Sequence, residues 1–499
     1  WLKSGSSPSA PGRLLDIPAA MSKTPPPQLE RAFKMLVGGK LVSSPASFSV
    51  INPSTGKVFA QAPECSPAVL HEAVASAKEA FKKWRLTSFE ERAGCLRKAM
   101  GKIQAEMPKI AEVLTMEQGK PLSSAMGEVG GILHFLDSFA KLEVKDKVLV
   151  DNAQETVIEK HVPLGVVGGI TPWNFPPLMA AWKLGEAVMT GNTIVLKPSP
   201  YTPLTTLMLS EAFADTFPPG VVNLVSGNDA LGRLITEHPD IAKISFTGST
   251  RTGKAIQAAT SGTLKRLTLE LGGNDPAIVL KGADVKSAAK GIFQGAMQNT
   301  GQVCIAIKRA FVPESMHDEF VNELAAEAAK AKVGDGFQKG VQYGPINNKM
   351  QYNRVVELVE DAKKAGAKVH AGGSPMEGPG YFYPPTILSG VKEGVRIVDE
   401  EQFGPVLPVI PYTDEDDVVD RANATNYGLG GSVWGPPAKA AEVAAKIDSG
   451  SVWVNSHGVL SPDVPFGGRK ESGVGRQMGN GTLEGYTDTK VIRIPKSKL

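Results

Sequence analysis

Between Ser66 and Trp84 the apolar residues Leu70, Val74, Ala77, Phe81 and Trp84 recur at the spacing of one helical face. Ser66 is placed to cap that helix, and Pro67 suits its first turn. Helical signals thus open the folded part, and they continue to about residue 142. Two β-rich runs then flank Asp151-Asn152-Ala153-Gln154 with the polar alternation of a hairpin. From Gly165 onward short apolar runs alternate with longer amphipathic ones. Strands are predicted at Gly165–Ile170, Thr193–Leu196, Val221–Val225, Ile244–Thr247 and Ala277–Leu280, and helices at Leu178–Met189, Pro203–Phe217 and Thr252–Thr260. Such alternation predicts βαβ units around a parallel sheet. After Gly282 the theme resumes, with helices at 315–332, 349–365, 415–423 and 437–448 and a strand at Ser451–Asn455. The expected fold class is α/β, in two lobes.

Composition narrows the function classes. The 499 residues are 42% hydrophobic and 21% charged, with 53 glycines, as in a globular α/β protein. A net charge of +3, without a Lys/Arg-dense run, argues against nucleic acid. Apolar stretches such as Leu164–Ile170 are too short to span a membrane. The three cysteines, at 65, 95 and 304, are too few and too far apart for a disulfide framework or a metal cluster, which points to a reducing compartment. The seven histidines show no metal-ligand spacing. Residues 1–28, rich in Ser, Pro and Ala, read as a disordered leader or an added extension and not as part of the fold.

Several strand ends carry residues suited to chemistry. In open α/β sheets, ligands collect beyond the carboxyl ends of the strands. "TPWNFP" puts Trp173 and Asn174 after the strand Gly165–Ile170, and "VLKPSP" puts Lys197 at another end. "LTLELGGNDP" ends a strand on Glu270, before two glycines that permit close approach. "SFTGSTRTGKA" enters a helix through Gly248 and Ser249, where free N–H groups suit a dinucleotide pyrophosphate. It also fits most of a nucleotide-binding P-loop, but Ala255 stands where a Mg²⁺-binding hydroxyl belongs. Asn174, Lys197, Ser249 and Glu270 are thereby expected on one sheet edge. Cys304, in "GQVCIAIKR", is either a small buried hydrophobe or a nucleophile.

With these residues assembled, the chain resembles the NAD(P)-dependent aldehyde dehydrogenase superfamily from about Val50 to Arg493. TPWNF, KPSP followed by TPLT, FTGST-x-x-G, LELGG, GQ-x-C, EEQFGPV and PFGG-x-K-x-SG occur in that order. The resemblance implies two Rossmann-like α/β domains, for cofactor and catalysis, and a small β bridging or oligomerisation domain. On this reading residues 29–144 and 163–273 bind the cofactor, 274–484 form the catalytic domain, and 145–162 with 485–499 bridge to neighbouring subunits in a homodimer or homotetramer. The resemblance makes Cys304 the nucleophile, Glu270 the general base and Asn174 an oxyanion donor, with Lys183 supporting the site or a proton path. It puts Thr171, Pro172, Trp173, Lys197, Gly248, Ser249, Leu271, Glu401 and Phe403 against the cofactor. Met179, Trp182, Leu460 and Phe466 would line an apolar aldehyde tunnel, and no metal is implied.

Pro200 departs from many NAD-preferring relatives, which carry a ribose-binding glutamate there, so either NAD or NADP is expected. His457 and Arg469 offer an anion-binding alternative, a semialdehyde subtype. A coenzyme-A-acylating relative, a non-catalytic family member and a P-loop protein are further alternatives; Glu270, the intact Cys304 and Ala255 respectively count against them. The final Ser497-Lys498-Leu499 spells a receptor-read peroxisomal address, with a cytoplasmic location as the alternative. Pro495 is expected to end the last strand and free this tail.

Overall fold

In the computed structural model, which describes residues 29, 31–143 and 145–496, five parallel strands form the centre of an eight-stranded sheet. They run in the order Val222–Leu224, Thr193–Lys197, Val166–Ile170, Ile241–Thr247 and Arg266–Glu270. Val166–Ile170 and Thr193–Lys197 are buried throughout, which explains their unbroken apolar character: helices cover both faces of a parallel sheet. Register then aligns the strand ends. Ile170 pairs with Lys197 and Thr247 with Glu270, so the loops leaving these four neighbouring strands emerge on one edge.

A second, seven-stranded sheet runs Lys368–Ala371, Thr386–Ser389, Val406–Tyr412, Ile307–Pro313, Asp275–Val279, Gly430–Trp434, Ser451–Val454. All its pairings are parallel except the first. Two α/β sheets thus match the expected fold class. A separate three-stranded sheet joins Lys147–Asp151, Glu155–Pro163 and Thr487–Pro495. The eight-stranded sheet also takes an antiparallel edge strand from Gly473–Val474, far along the chain from its other members.

The first helix, Pro67–Trp84, is capped by Ser66, whose hydroxyl accepts from Val69 N at 3.3 Å. The folded part does not open on helices, however. Strands Met35–Val37, Lys40–Val42, Ser47–Asn52 and Lys57–Pro63 precede that helix. The first two are three residues long; they pair with each other, and the first docks through Leu36 on Leu224, a contact that local periodicity cannot reveal. A helix at Val285–Met297, capped by Asp284, was equally invisible beside the Gly282 turn.

Pro495 does not stop the final strand. It pairs with Glu155, and Lys496 continues with an N–H to Gln154 O at 2.9 Å and an ammonium 2.5 Å from Asp151. The strand lies at the edge of its sheet, where a missing N–H costs the ladder nothing. The leader 1–28 and Ser497–Leu499 lie outside the described residues. No helix among the described residues is long and apolar enough to cross a membrane.

Candidate active site

Three left-handed residues in succession, Asn299, Thr300 and Gly301, deliver the chain to Cys304. Two of them are not glycine, so the turn is costly and must be held from outside. Gly301 itself could carry no side chain, because a Cβ would overlap Gly404 O. Gln302 is buried and anchors the turn: its amide donates to Asn299 O at 2.9 Å and its carbonyl oxygen accepts from Asn347 N at 2.8 Å. Cys304 packs against the large apolar core while retaining some exposure.

The loop after Ile170 meets this turn. Asn174 is buried, and its Nδ2 donates to Gln302 O at 3.0 Å. An amide nitrogen has two donors, so one remains for a ligand beside the Cys304 turn. The Asn174 carbonyl is gripped by Asn299 Nδ2 at 3.1 Å and by Lys120 Nζ at 3.0 Å. Lys120 is in turn paired with buried Glu128 at 2.5 Å and lies 3.9 Å from the Phe175 ring. This Lys120–Glu128 pair on the helical layer escapes motif reading, because nothing near it in sequence marks it.

Glu270 ends its strand almost fully buried, and neither carboxyl oxygen has a hydrogen-bond partner among the described residues. Burial pushes its pKa well above the usual carboxylate range; Lys183 and Arg476 oppose the shift, and Glu186 adds to it. Lys183 is fully buried on the helix Pro176–Met189, donating to Thr247 Oγ1 at 2.8 Å and Ser245 Oγ at 3.2 Å. Burial lowers its pKa to about 8, against the pull of Glu186 and Glu270. The Cys304 thiol is pushed up to about 12, by burial first and by Glu401, Glu270 and Asp275, with Lys308 opposing. Perturbed groups of this kind gather where proton transfer is arranged.

The remaining strand-end residues form a cradle beside this cluster. Lys197 is buried, donates to Pro198 O at 3.1 Å, and is held at about 8 by burial, with Asp229 pulling the other way. Thr171 N donates to Lys197 O at 3.0 Å, while its hydroxyl, also buried, has no partner among the described residues. Gly248 N donates to Glu270 O at 3.0 Å, and Ser249 caps the helix Thr250–Thr260. That helix begins two residues earlier than predicted, and Gly253 and Lys254 lie inside it as expected. Gly253 packs on Leu271, and Lys254 pairs with Glu471 at 2.8 Å. Neither contact favours the P-loop alternative, which Ala255 already opposed.

Across the cleft, Glu401 accepts from Gly273 N at 3.0 Å, and Phe403 adopts a left-handed φ of 49°. The Phe403 ring stands edge-on to Trp173, with centroids 5.2 Å apart and Pro172 next to it in the chain. Gly272 and Gly273 are necessary: a Cβ at Gly273 would lie 2.6 Å from Cys304 O, and one at Gly272 would strike Glu401 Oε2. An unpartnered hydroxyl, a helix N-terminus capped by Ser249 and a buried lysine on one edge fit a dinucleotide.

Trp182 and Phe466 belong to the same apolar core as Cys304's neighbours, and Met179 and Leu460 pack against it. Phe135, from the helix Leu122–Phe139, sits 4.7 Å from Trp182 and adds a wall that the sequence reading missed. The anion-binding alternative loses both its residues. His457 is buried, its Nε2 2.5 Å from Ile305 O, and burial lowers its pKa to about 4. Arg469 is exposed and bonds Asp448 at 2.7 Å.

The family model described as "Aldehyde dehydrogenase family" matches residues 41–492. Human retinaldehyde dehydrogenase 3 is 40% identical over 457 residues, covering 90% of this chain and 89% of that protein. Human aldehyde dehydrogenase 1A1 is 39% identical over 461 residues, covering 90% and 92%. The NAD⁺ complex of aldehyde dehydrogenase from Bacillus cereus superposes with a TM-score of 0.92 at 37% identity, covering 94% of this chain and 98% of that one.

Proposed function

The chain belongs to the aldehyde dehydrogenase family, enzymes that oxidise aldehydes with a nicotinamide cofactor, and from that premise we propose how its own residues carry the reaction. Cys304 attacks the aldehyde carbon as a thiolate, forming the C–S bond while the carbonyl electrons move to oxygen. The free N–H of Asn174 Nδ2 stabilises that oxyanion. The cofactor, held by Lys197, Ser249, Glu401 and Phe403, supplies a hydride acceptor when bound. Collapse of the oxyanion re-forms the carbonyl as the C–H bond breaks and its hydride departs to that acceptor, leaving an acyl thioester on Cys304. Glu270 then takes a proton from water as the water attacks, the C–S bond breaks, and the carboxylic acid departs.

One observation carries this reading: the Asn174 amide bonds Gln302 O, two residues ahead of the thiol, so the first sheet's edge abuts the nucleophile turn. The apolar surroundings of Met179, Trp182, Leu460 and Phe466 favour an aliphatic or aromatic aldehyde over a semialdehyde. The unit boundaries given above, and assembly through the three-stranded sheet into a homodimer or homotetramer, are part of the proposal. So is import by a peroxisomal receptor through Ser497–Leu499. A fluorescent protein placed ahead of the chain should give peroxisomal puncta that deletion of these three residues disperses; puncta surviving the deletion would refute the address.

The activity test is a panel of aldehydes with NAD and with NADP, followed by absorbance of the reduced cofactor. Apolar aldehydes should react without coenzyme A. Pro200 brings no carboxylate to repel a 2′-phosphate, so NADP should be used measurably. Pro200→Glu should raise the NAD-to-NADP ratio of kcat/KM by about tenfold or more, since it adds both repulsion and ribose hydrogen bonds. Failure of wild type to use NADP would place the discrimination elsewhere.

A further inference from the structure

Lys308 has no part in the reaction described so far. It lies on the strand Ile307–Pro313, directly after the nucleophile turn, and its side chain is only 2% exposed. A buried ammonium is costly unless its protons are bonded and its charge is matched. Here both conditions are met by groups that matter to catalysis. Its Nζ donates to Val303 O at 2.8 Å, Cys304 O at 2.9 Å and Ala306 O at 3.2 Å. An ammonium has three protons, and all three are spent on the turn that carries the thiol. The same nitrogen lies 3.6 Å from Oε1 of Glu401, the atom that also accepts from Gly273 N.

We infer that Lys308 is a positioning residue for the nucleophile: its buried ammonium clamps the Val303–Ala306 turn, biases Cys304 toward thiolate, and ties that turn to Glu401. The inference rests on Cys304 being the nucleophile. Among the described residues the charged and titratable groups acting on the thiol are Lys308, Glu401, Glu270 and Asp275, and of these Lys308 is the cation, set against burial and three carboxylates. Asp275, on the neighbouring strand, accepts from Gly430 N at 3.1 Å, and its other oxygen lies 3.7 Å from the neutral His457. Neither contact brings a second positive charge to the thiol.

The Glu401 contact gives the clamp a further property. On the proposed function Glu401 holds the cofactor's nicotinamide ribose. Any shift of that carboxylate on cofactor binding changes how far it neutralises Lys308, and the change is felt at Cys304. Cofactor should therefore alter thiol reactivity before any aldehyde arrives, and it should do so through Lys308.

The test is the rate at which iodoacetamide alkylates Cys304, followed by intact mass across pH, with and without NAD. Two variants are compared with wild type. Lys308→Met removes the charge and the donors but keeps most of the stem; Lys308→Gln keeps a donor without the charge. Both should raise the pH midpoint of alkylation by about one unit or more, slowing labelling near neutral pH roughly tenfold. Both should also lose most of the effect of NAD on that rate, while NAD still binds. The Gln variant should recover part of kcat but none of the midpoint shift, which separates charge from packing. A pH profile unchanged in a folded variant would overturn the inference. So would failure of both variants to fold, which assigns Lys308 to stability alone. Neither result touches Cys304 as nucleophile; that reading falls only if Cys304→Ala still turns over.

Discussion

Cys304→Ala should lower aldehyde turnover by roughly ten-thousand-fold or more while leaving cofactor binding in place. The separation follows from the geometry. The cofactor-side groups Lys197, Ser249 and Glu401 are held by Pro198 O, Thr252 N and Gly273 N, and none of those bonds runs through the sulfur. The Gln302 anchor and the Asn174 bond to Gln302 O use backbone and amide atoms, so the turn survives loss of the thiol. Cys65 and Cys95 cannot substitute. Cys65 is buried in the core, which pushes its thiol up to about 12, and Cys95 packs against the same core. Steady-state turnover and cofactor fluorescence, measured on one preparation, check both halves. Wild-type turnover in the variant would remove the covalent mechanism altogether.

Glu270→Gln should let the acyl-enzyme accumulate. Thiol attack and hydride departure do not require a base for water, but thioester hydrolysis does, and a positioned general base contributes about 100- to 10,000-fold. A stoichiometric burst of reduced cofactor should precede a slow steady state, and intact mass should show the acyl adduct on the protein. The substitution is sterically mild and removes a buried carboxyl whose oxygens accept no hydrogen bond from the described residues. The pH dependence has a definite sign. Burial raises the Glu270 pKa, so the carboxylate needed to activate water forms only at a pH above the ordinary carboxylate range. Wild-type deacylation should climb as pH rises through that pKa and then level off; the Gln variant should lose this ascent. A variant that hydrolyses its thioester at the wild-type rate would exclude Glu270 as the base.

Much of this machinery is legible along the chain. The unbroken apolar runs at Gly165–Ile170 and Thr193–Leu196 announce strands buried on both faces, and the residues just past them, Asn174 and Lys197, are thereby placed at a sheet edge. Local chemistry also marked Ser66 as a cap and Gly272-Gly273 as a point of close approach, because caps and glycine contacts act over a few residues. What escaped was long-range. Of the opening strands at 35–63, the first two are three residues long and the first docks against Leu224, while the other two pair only with each other in a separate sheet, so none carries an unbroken buried run as long as those of Val166–Ile170 and Thr193–Lys197. The Lys120–Glu128 pair reaches Asn174 O from another layer. Lys308 did leave a trace, a charge inside "CIAIKRAFVP", but its meaning needed the turn above it.

By itself the sequence determined the α/β alternation and the ordered motifs, and through the resemblance these carry it marked Cys304, Glu270 and Asn174 as candidates, since motifs depend on residue type and short spacing. Tertiary structure alone decided which charges face the thiol. Glu401 lies nearly a hundred positions from Cys304 in the chain, yet it reaches the same buried ammonium, and His457 is closed off against Ile305 O. Burial also moves the pKa values of Cys304, Glu270 and Lys183 away from their ordinary values. Such shifts arise from desolvation and through-space charge, and these exist only after both sheets have packed around one cleft.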